Sequence, residues 1–203
     1  MIGVGITQRM MTAAGTAERR TALDVRWPAF LARCGLAAVP LPNDPALAVE
    51  TADALALGGL VLSGGEDLAR YGGGVRERDE TERRLLEWAL RDGRPVLGVC
   101  RGMQLIADYY GAGLHPVDGH VAVRHEVVFD GSVRTVGCFH RWAADRVPEP
   151  LEVTGRRGPV VEAVRLKGGN VQGIMWHPER DEQPQQADVD LFRSLFAGAL
   201  CAR

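Results

Sequence analysis

Short runs of consecutive apolar residues alternate along this chain with longer stretches in which apolar positions recur every three or four residues. That is the pattern of strands joined by helices around a mostly parallel sheet, so the expected class is α/β. Ile2 to Ile6 reads as the first strand, and Ala22 to Cys34 as a helix, because Leu23, Trp27, Phe30 and Leu31 share one face and Gly35 can cap it. Ala37 to Leu41 gives a second strand that stops at the turn cluster Pro42-Asn43-Asp44-Pro45. Gly59 to Leu62 is a third strand ending in Ser63-Gly64-Gly65, where missing Cβ atoms permit a sharp turn and close approach by a ligand.

Glu80 to Arg91 is predicted as an amphipathic helix closed by Asp92-Gly93, and Pro95 to Val99 as a short, fully apolar strand of the kind found in the middle of a parallel sheet. A helix begins at Arg101. From about Gly119 to Leu166, Val recurs at alternate positions, which reads as several antiparallel strands of unresolved order. Val171 to Trp176 is a further strand running into His177-Pro178-Glu179, and Val189 to Leu200 is the last helix.

Length and charge narrow the field. With 203 residues and no internal repeat or low-complexity linker, the chain is expected to form one domain over 1–203. A formal charge of −2 gives no electrostatic reason to expect nucleic acid or an anionic membrane as partner, so small molecules or other proteins are expected instead. The start, Met1-Ile2-Gly3-Val4, lacks a basic leader and apolar h-region, and no apolar stretch approaches the roughly 20 residues of a membrane span. The expected location is cytoplasmic. Cys34, Cys100, Cys138 and Cys201 lack CxxC spacing, which indicates neither a zinc site nor a disulfide framework. No metal or cofactor is expected.

Only Cys100 stands out chemically. Gly98-Val99-Cys100-Arg101-Gly102 is a G-x-C-x-G pentapeptide between a buried strand and a helix, the thiol counterpart of the G-x-S-x-G nucleophile elbow. Such a turn leaves no room for side chains two residues either side of the nucleophile. It would project Cys100 from the carboxyl end of a strand, at a helix N-terminus whose dipole favours a thiolate. A buried cysteine in a glycine-rich turn is the plain alternative.

A catalytic thiol needs an imidazole to take its proton and an acceptor to orient that imidazole. His177-Pro178-Glu179 offers both, with Pro178 restricting His177 to extended backbone. Ser63-Gly64-Gly65, then Gly98 to Gln104, then His177-Pro178-Glu179 resemble, in that order, the signatures of class I glutamine-amidotransferase-like proteins over nearly the whole chain. The resemblance implies a flavodoxin-like, mostly parallel sheet flanked by helices, with an additional small antiparallel sheet. It also implies a Cys100, His177, Glu179 triad acting through a γ-glutamyl thioester, with an oxyanion hole from the backbone N–H groups of Gly64, Gly65 and Arg101. Gln104 matches the position that helps hold the glutamyl moiety; without the family it reads as a helix-surface amide.

Within the superfamily, Ser63 to Asp67 and Arg78-Asp79-Glu80-Thr81-Glu82 resemble the γ-glutamyl hydrolase branch. Gly5 to Arg9, Glu18 to Asp24 and Leu41-Pro42-Asn43 are similar to γ-glutamyl-CDP-amidate hydrolases of capsule phosphoramidate biosynthesis. That likeness implies a self-sufficient hydrolase of a small γ-glutamyl substrate. Arg9, Arg19 and Arg20 could then meet a phosphate-bearing leaving group, or sit in surface ion pairs. Arg78 and Asp79 could brace the loop wall as a mutual pair or touch substrate. At Val136-Gly137-Cys138-Phe139-His140 the chain departs from the γ-glutamyl-GABA hydrolase pattern, which has an Asn-Ser pair where Gly137 and Cys138 stand; His140 is retained and could line the pocket. His115, His120 and His125 read as structural or surface residues. The alternatives are a γ-glutamyl-GABA-type hydrolase, a glutaminase subunit feeding ammonia to a synthetase partner, and a non-catalytic reactive-cysteine binding or stress protein.

Overall fold

A computed structural model describes residues 1–201, with side chains through residue 198, so the Cys201 thiol lies outside the described residues. The chain opens with β1 (Ile2–Ile6), a hairpin of β2 (Arg9–Thr12) and β3 (Arg19–Ala22), then α1 (Arg26–Arg33) and β4 (Leu36–Pro40). It continues through α2 (Pro45–Ala54), β5 (Leu60–Leu62), α3 (Arg76–Arg91), β6 (Val96–Val99) and α4 (Arg101–Tyr109). Six strands follow: β7 (His115–Pro116), β8 (Val121–Phe129), β9 (Ser132–Phe139), β10 (Trp142–Ala143), β11 (Leu151–Arg157) and β12 (Val160–Leu166). Last come β13 (Val171–Ile174) and α5 (Gln186–Cys201).

One nine-stranded sheet, ordered β4-β1-β5-β6-β13-β12-β11-β8-β9, carries the fold. From β4 to β13 the pairs are parallel, and from β13 to β9 they are antiparallel. The valine-rich stretch therefore extends the central sheet. The separate antiparallel sheets are the two-stranded β2-β3 and β7-β10.

Alternation along the central strands sorts side chains to two covered faces. Val61, Leu97 and Val99 point to the layer of α1 and α5, where Trp27, Phe30, Phe192 and Phe196 are buried. Leu60, Leu62 and Val96 point the other way, to Leu85, Leu86, Trp88 and Ile106 of α3 and α4. Each of these large side chains contributes about 1.5–3 kcal/mol by leaving water. No helix among the described residues is long and apolar enough to cross a membrane.

Three expectations are corrected. The helix expected from Ala22 begins at Arg26, because Arg19 to Ala22 pair with Arg9 to Thr12 and Asp24 accepts the Arg26 N–H at 3.0 Å. The helix expected from Glu80 begins at Arg76, a turn earlier, through charged residues that carry no apolar signal. The turn at Pro42 to Pro45 leads into α2, which the apolar pattern missed: only Ala48 and Ala52 are buried. Its start signal was legible, since Asp44 accepts the N–H groups of Ala46 and Leu47 at 3.1 and 2.8 Å with Pro45 in the first turn.

Candidate active site

Strand β6 ends at Val99 and α4 begins at Arg101, so the chain must turn from strand to helix within one residue. Cys100 does this with φ 53° and ψ −104°, a conformation costly for a residue with a Cβ. The flanking glycines make the turn possible. A Cβ at Gly98 would fall 2.6 Å from the Gly102 carbonyl oxygen, and one at Gly102 would collide with the Leu62 carbonyl. Cys100 donates its N–H to Ile174 at 2.7 Å, and its carbonyl accepts from Gln104 at 3.0 Å, so the strained residue is anchored to the next strand and to the helix.

That next strand delivers His177. β13 lies beside β6 in parallel register, Ile174 opposite Val99, so both strands end on the same side of the sheet. Three residues beyond β13, His177 donates its N–H to the Gly137 carbonyl at 3.2 Å, and Pro178 to Arg180 form a single 3-10 turn. This turn folds Glu179 back onto the ring: His177 Nδ1–H donates to Glu179 Oε1 at 2.7 Å. Cys100 lies near enough to the imidazole to favour its charged form. Burial works against the imidazolium, but the charge of Glu179 and the interaction with Cys100 outweigh it and push His177 up to about 9. All three side chains are at most 5% exposed.

The third wall is the Ser63-Gly64-Gly65 loop after β5. Ser63 is tied to β1's end, its Oγ donating to the Thr7 carbonyl at 2.6 Å and its N–H to Thr7 Oγ1 at 3.0 Å. Fully buried Arg78 holds the loop from behind, donating to the carbonyls of Ser63 and Gly64 at 2.9 and 3.0 Å, to Glu66 at 2.9 Å and to Glu82 at 2.9 Å. The Arg101 side chain pairs with Glu82 and Asp79. Burial disfavours the Glu82 carboxylate, yet Arg101 and Arg78 hold it below its ordinary range. Arg78 thus braces this wall, while Asp79 accepts from Arg101 and from the Ala69 N–H at 2.8 Å: successive helix positions face different ways, and the two do not form a mutual pair. The backbone N–H groups of Gly64, Gly65 and Arg101 make no backbone–backbone hydrogen bond.

A cavity of about 230 Å³ opens beside this arrangement, lined by Arg9, Trp27, Gly64, Gly65, His177 and Glu179 among others, with Cys100 set behind its wall. A larger depression of about 590 Å³ touches Ile2, Gly58, Arg94 and Pro95, at the opposite ends of the strands from the elbow. Volume alone therefore does not mark the site.

The other expected residues divide. Arg9 borders the cavity, half exposed and 4.0 Å from Glu66. Arg19 and Arg20 sit in exposed ion pairs with Glu77 and Glu18. Gln104 is buried rather than on a helix surface and donates to the Trp142 carbonyl at 2.8 Å. His140 is not on the cavity wall; its Nδ1–H donates to the same Trp142 carbonyl at 3.2 Å from within a buried cluster. His120 and His125, read from sequence as lacking ligand geometry, lie in that cluster with Cys138 and Glu162, and their ring nitrogens approach Glu162 closely enough to hold a metal. His115 is exposed. Arg180, next to Glu179, was missed: its guanidinium lies 4.4 Å over the Phe139 ring at the cavity edge.

Residues 31–196 match the family model for glutamine amidotransferase class-I. Among curated proteins, the chain is 33% identical over 182 residues to a gamma-glutamyl-CDP-amidate hydrolase of Campylobacter jejuni, covering 88% of this chain and 90% of that one. It is 30% identical over 131 residues to a glutamine-hydrolyzing GMP synthase subunit of Methanoregula boonei, covering 60% and 65%. Among solved structures, the glutaminase domain of Trypanosoma brucei CTPS with bound acivicin superimposes with a TM-score of 0.72 over 98% of this chain and 94% of that one, at 14% identity.

Proposed function

From the premise that the chain belongs to the class I glutamine amidotransferase family, we propose that it is a cysteine hydrolase that cleaves a γ-glutamyl amide with Cys100, His177 and Glu179. The observation that carries this reading is the strained Cys100 turn beside an imidazole whose far nitrogen is committed to Glu179 at 2.7 Å. A second Cys-His-Glu trio, Cys138, His140 and Glu162, sits on ordinary strand and loop backbone with none of its members on the cavity wall, whereas His177 and Glu179 line it.

In the proposed reaction the Cys100 thiolate adds to the γ-carbonyl carbon, and the developing oxyanion is met by the N–H groups of Gly64, Gly65 and Arg101. His177, held protonated by Glu179, gives its proton to the departing nitrogen as the C–N bond breaks, leaving a γ-glutamyl thioester. Water then attacks the thioester with His177 as base, and glutamate leaves. A group whose pKa is raised to about 9 enters the first step already charged near neutral pH, which suits an acid.

For the leaving group we propose a phosphoramidate such as a nucleotidyl amidate. Arg9 and Arg180 place two guanidinium groups on the cavity rim, and the Campylobacter jejuni relative carries that substrate in its name. Glutamine hydrolysis for a synthetase partner is the second reading, favoured by the likeness to a GMP synthase subunit. Incubating the purified chain with γ-glutamyl amides of GABA, simple amines and nucleotidyl phosphoramidates, with glutamate as readout, tests the proposal. Release from the phosphoramidate without any partner supports it; turnover of glutamine alone, rising when a synthetase is added, rejects it.

A further inference from the structure

Behind the His177 segment, five side chains that the hydrolysis does not use converge in the core: His120 before β8, His125 on β8, Cys138 on β9, His140 just after it, and Glu162 on β12. All are at most 7% exposed. We propose that Cys138, His140, Glu162 and His120 form a closed, four-coordinate site for a thiophilic divalent transition metal ion, zinc by preference.

Tetrahedral zinc with bonds of about 2.0–2.3 Å separates its ligand atoms by roughly 3.3–3.8 Å. Glu162 Oε1 lies 3.0 Å from His120 Nδ1 and 3.5 Å from His140 Nε2. His120 Nδ1 and His140 Nε2 are 3.1 Å apart, and Cys138 Sγ is 3.8 Å from Glu162 Oε2. The His120, His140 and Glu162 Oε1 separations are those of a coordination shell with small adjustments; Cys138 Sγ approaches the other carboxylate oxygen and lies within 4.8 Å of the His140 and Glu162 ligand atoms, so a turn of the carboxylate brings it into the shell.

The protons point the same way. His140 commits Nδ1–H to the Trp142 carbonyl, which leaves a lone pair on Nε2 facing the cluster. Glu162 Oε1, fully buried, accepts no hydrogen bond of good geometry. Two ring nitrogens, a sulfur and a carboxylate therefore face one another in a buried space, a donor set that a cation can take in place of the protons now shared between them. A dication would balance the Cys138 thiolate and the Glu162 carboxylate. His125 completes the arrangement from outside. Arg157 donates to its Nδ1 at 2.7 Å, so the single proton of the neutral ring sits on Nε2, 3.1 Å from Cys138 Sγ, where it can donate to a thiolate. Hydrogen bonds to ligating atoms from just outside the shell are the usual support of such sites.

The metal would pin the β8-β9 arm to β12 at the point from which His177 is hung. Gly137 accepts the His177 N–H, Glu162's carbonyl accepts the Met175 N–H at 2.8 Å, and Cys138 bridges to Trp176. With no open position and no cavity, the role is structural.

The test is metal analysis of the full chain purified after growth with zinc, then Co²⁺ titration of protein stripped by a chelator. The expected result is near-stoichiometric zinc, and with Co²⁺ the intense visible bands of a tetrahedral site plus a thiolate-to-metal charge-transfer band. Both should survive Cys100→Ala and be lost in Cys138→Ser and His140→Gln, while His125→Gln weakens affinity by about 10- to 100-fold. Should the cluster variants fail to fold, the stripped parent and Cys100→Ala decide alone. A folded parent that takes up neither metal, or a charge-transfer band that vanishes with Cys100→Ala, overturns the proposal.

Discussion

The backbone of Gly64 lies directly against the His177 ring, so close that a Cβ at Gly64 would fall 2.6 Å from His177 Cε1. The loop that borders the cavity and the imidazole that borders it are thus fitted to each other with no spare volume. Gly64→Ala should displace the ring or the loop by a fraction of an ångström, and misplacement of that order costs about 10²-fold in rate. We expect kcat to fall by about that factor with thermal stability little changed. Steady-state kinetics beside a melting curve checks this; an undiminished kcat would show that the fit is irrelevant.

Glu179→Gln keeps the shape of the acceptor and removes its charge. His177 in the folded chain is raised to about 9 from an ordinary 6.5. The stabilisation from this charging is therefore fully present below about pH 6.5 and lost as pH rises through about 9. The substitution should flatten that stretch of the stability profile and cut kcat by about 10²- to 10⁴-fold through loss of ring orientation and charge. Melting temperature across that range, for parent and variant, is the measurement.

Arg78 serves five acceptors on four residues at once from a fully buried position. Arg78→Met would leave Glu82 with one cation fewer and the loop carbonyls without donors, at a cost of about 3–5 kcal/mol. Arg78→Lys should recover only part of this, because one ammonium cannot reproduce a guanidinium fork. Denaturant unfolding of both variants reads the difference; full recovery by lysine would refute the geometric argument.

Arg9→Ala tests the rim. If Arg9 pairs with a phosphate of the leaving group, KM for a nucleotidyl phosphoramidate should rise about tenfold, the weight of one charge-assisted hydrogen bond. Hydrolysis of a γ-glutamyl amide with an uncharged leaving group should be unaffected. Equal losses on both substrates would remove Arg9 from leaving-group recognition.

Much of this molecule is legible in its sequence where local chemistry and tertiary structure agree. The all-apolar strand before Cys100 can only be central, and glycines at 98 and 102 leave one reading of the turn between them; both follow from sterics the sequence carries directly. The β2-β3 hairpin was illegible because its residues are exposed or half-buried and carry no apolar alternation, while the helical spacing of Leu23, Trp27 and Phe30 extended the apparent helix backwards over β3. The partners of Arg78, expected to be Asp79 or substrate, and of the Arg101 side chain were not legible, because burial of an arginine depends on groups far away in sequence, here Ser63, Glu66 and Glu82. The histidine cluster was hidden for the same reason: His120, Cys138 and Glu162 come together only once β8, β9 and β12 lie near one another in the sheet.

The central claim rests on the Cys100 sulfur forming a γ-glutamyl thioester. Its most direct measurement is mass spectrometry of the intact chain, acid-quenched during turnover of a γ-glutamyl amide, followed by peptide mapping. The account expects a glutamyl adduct on the peptide containing Cys100, absent in Cys100→Ala, with glutamate release by that variant reduced to background. An adduct mapped to Cys138, or glutamate release by Cys100→Ala at the parent rate, would contradict it.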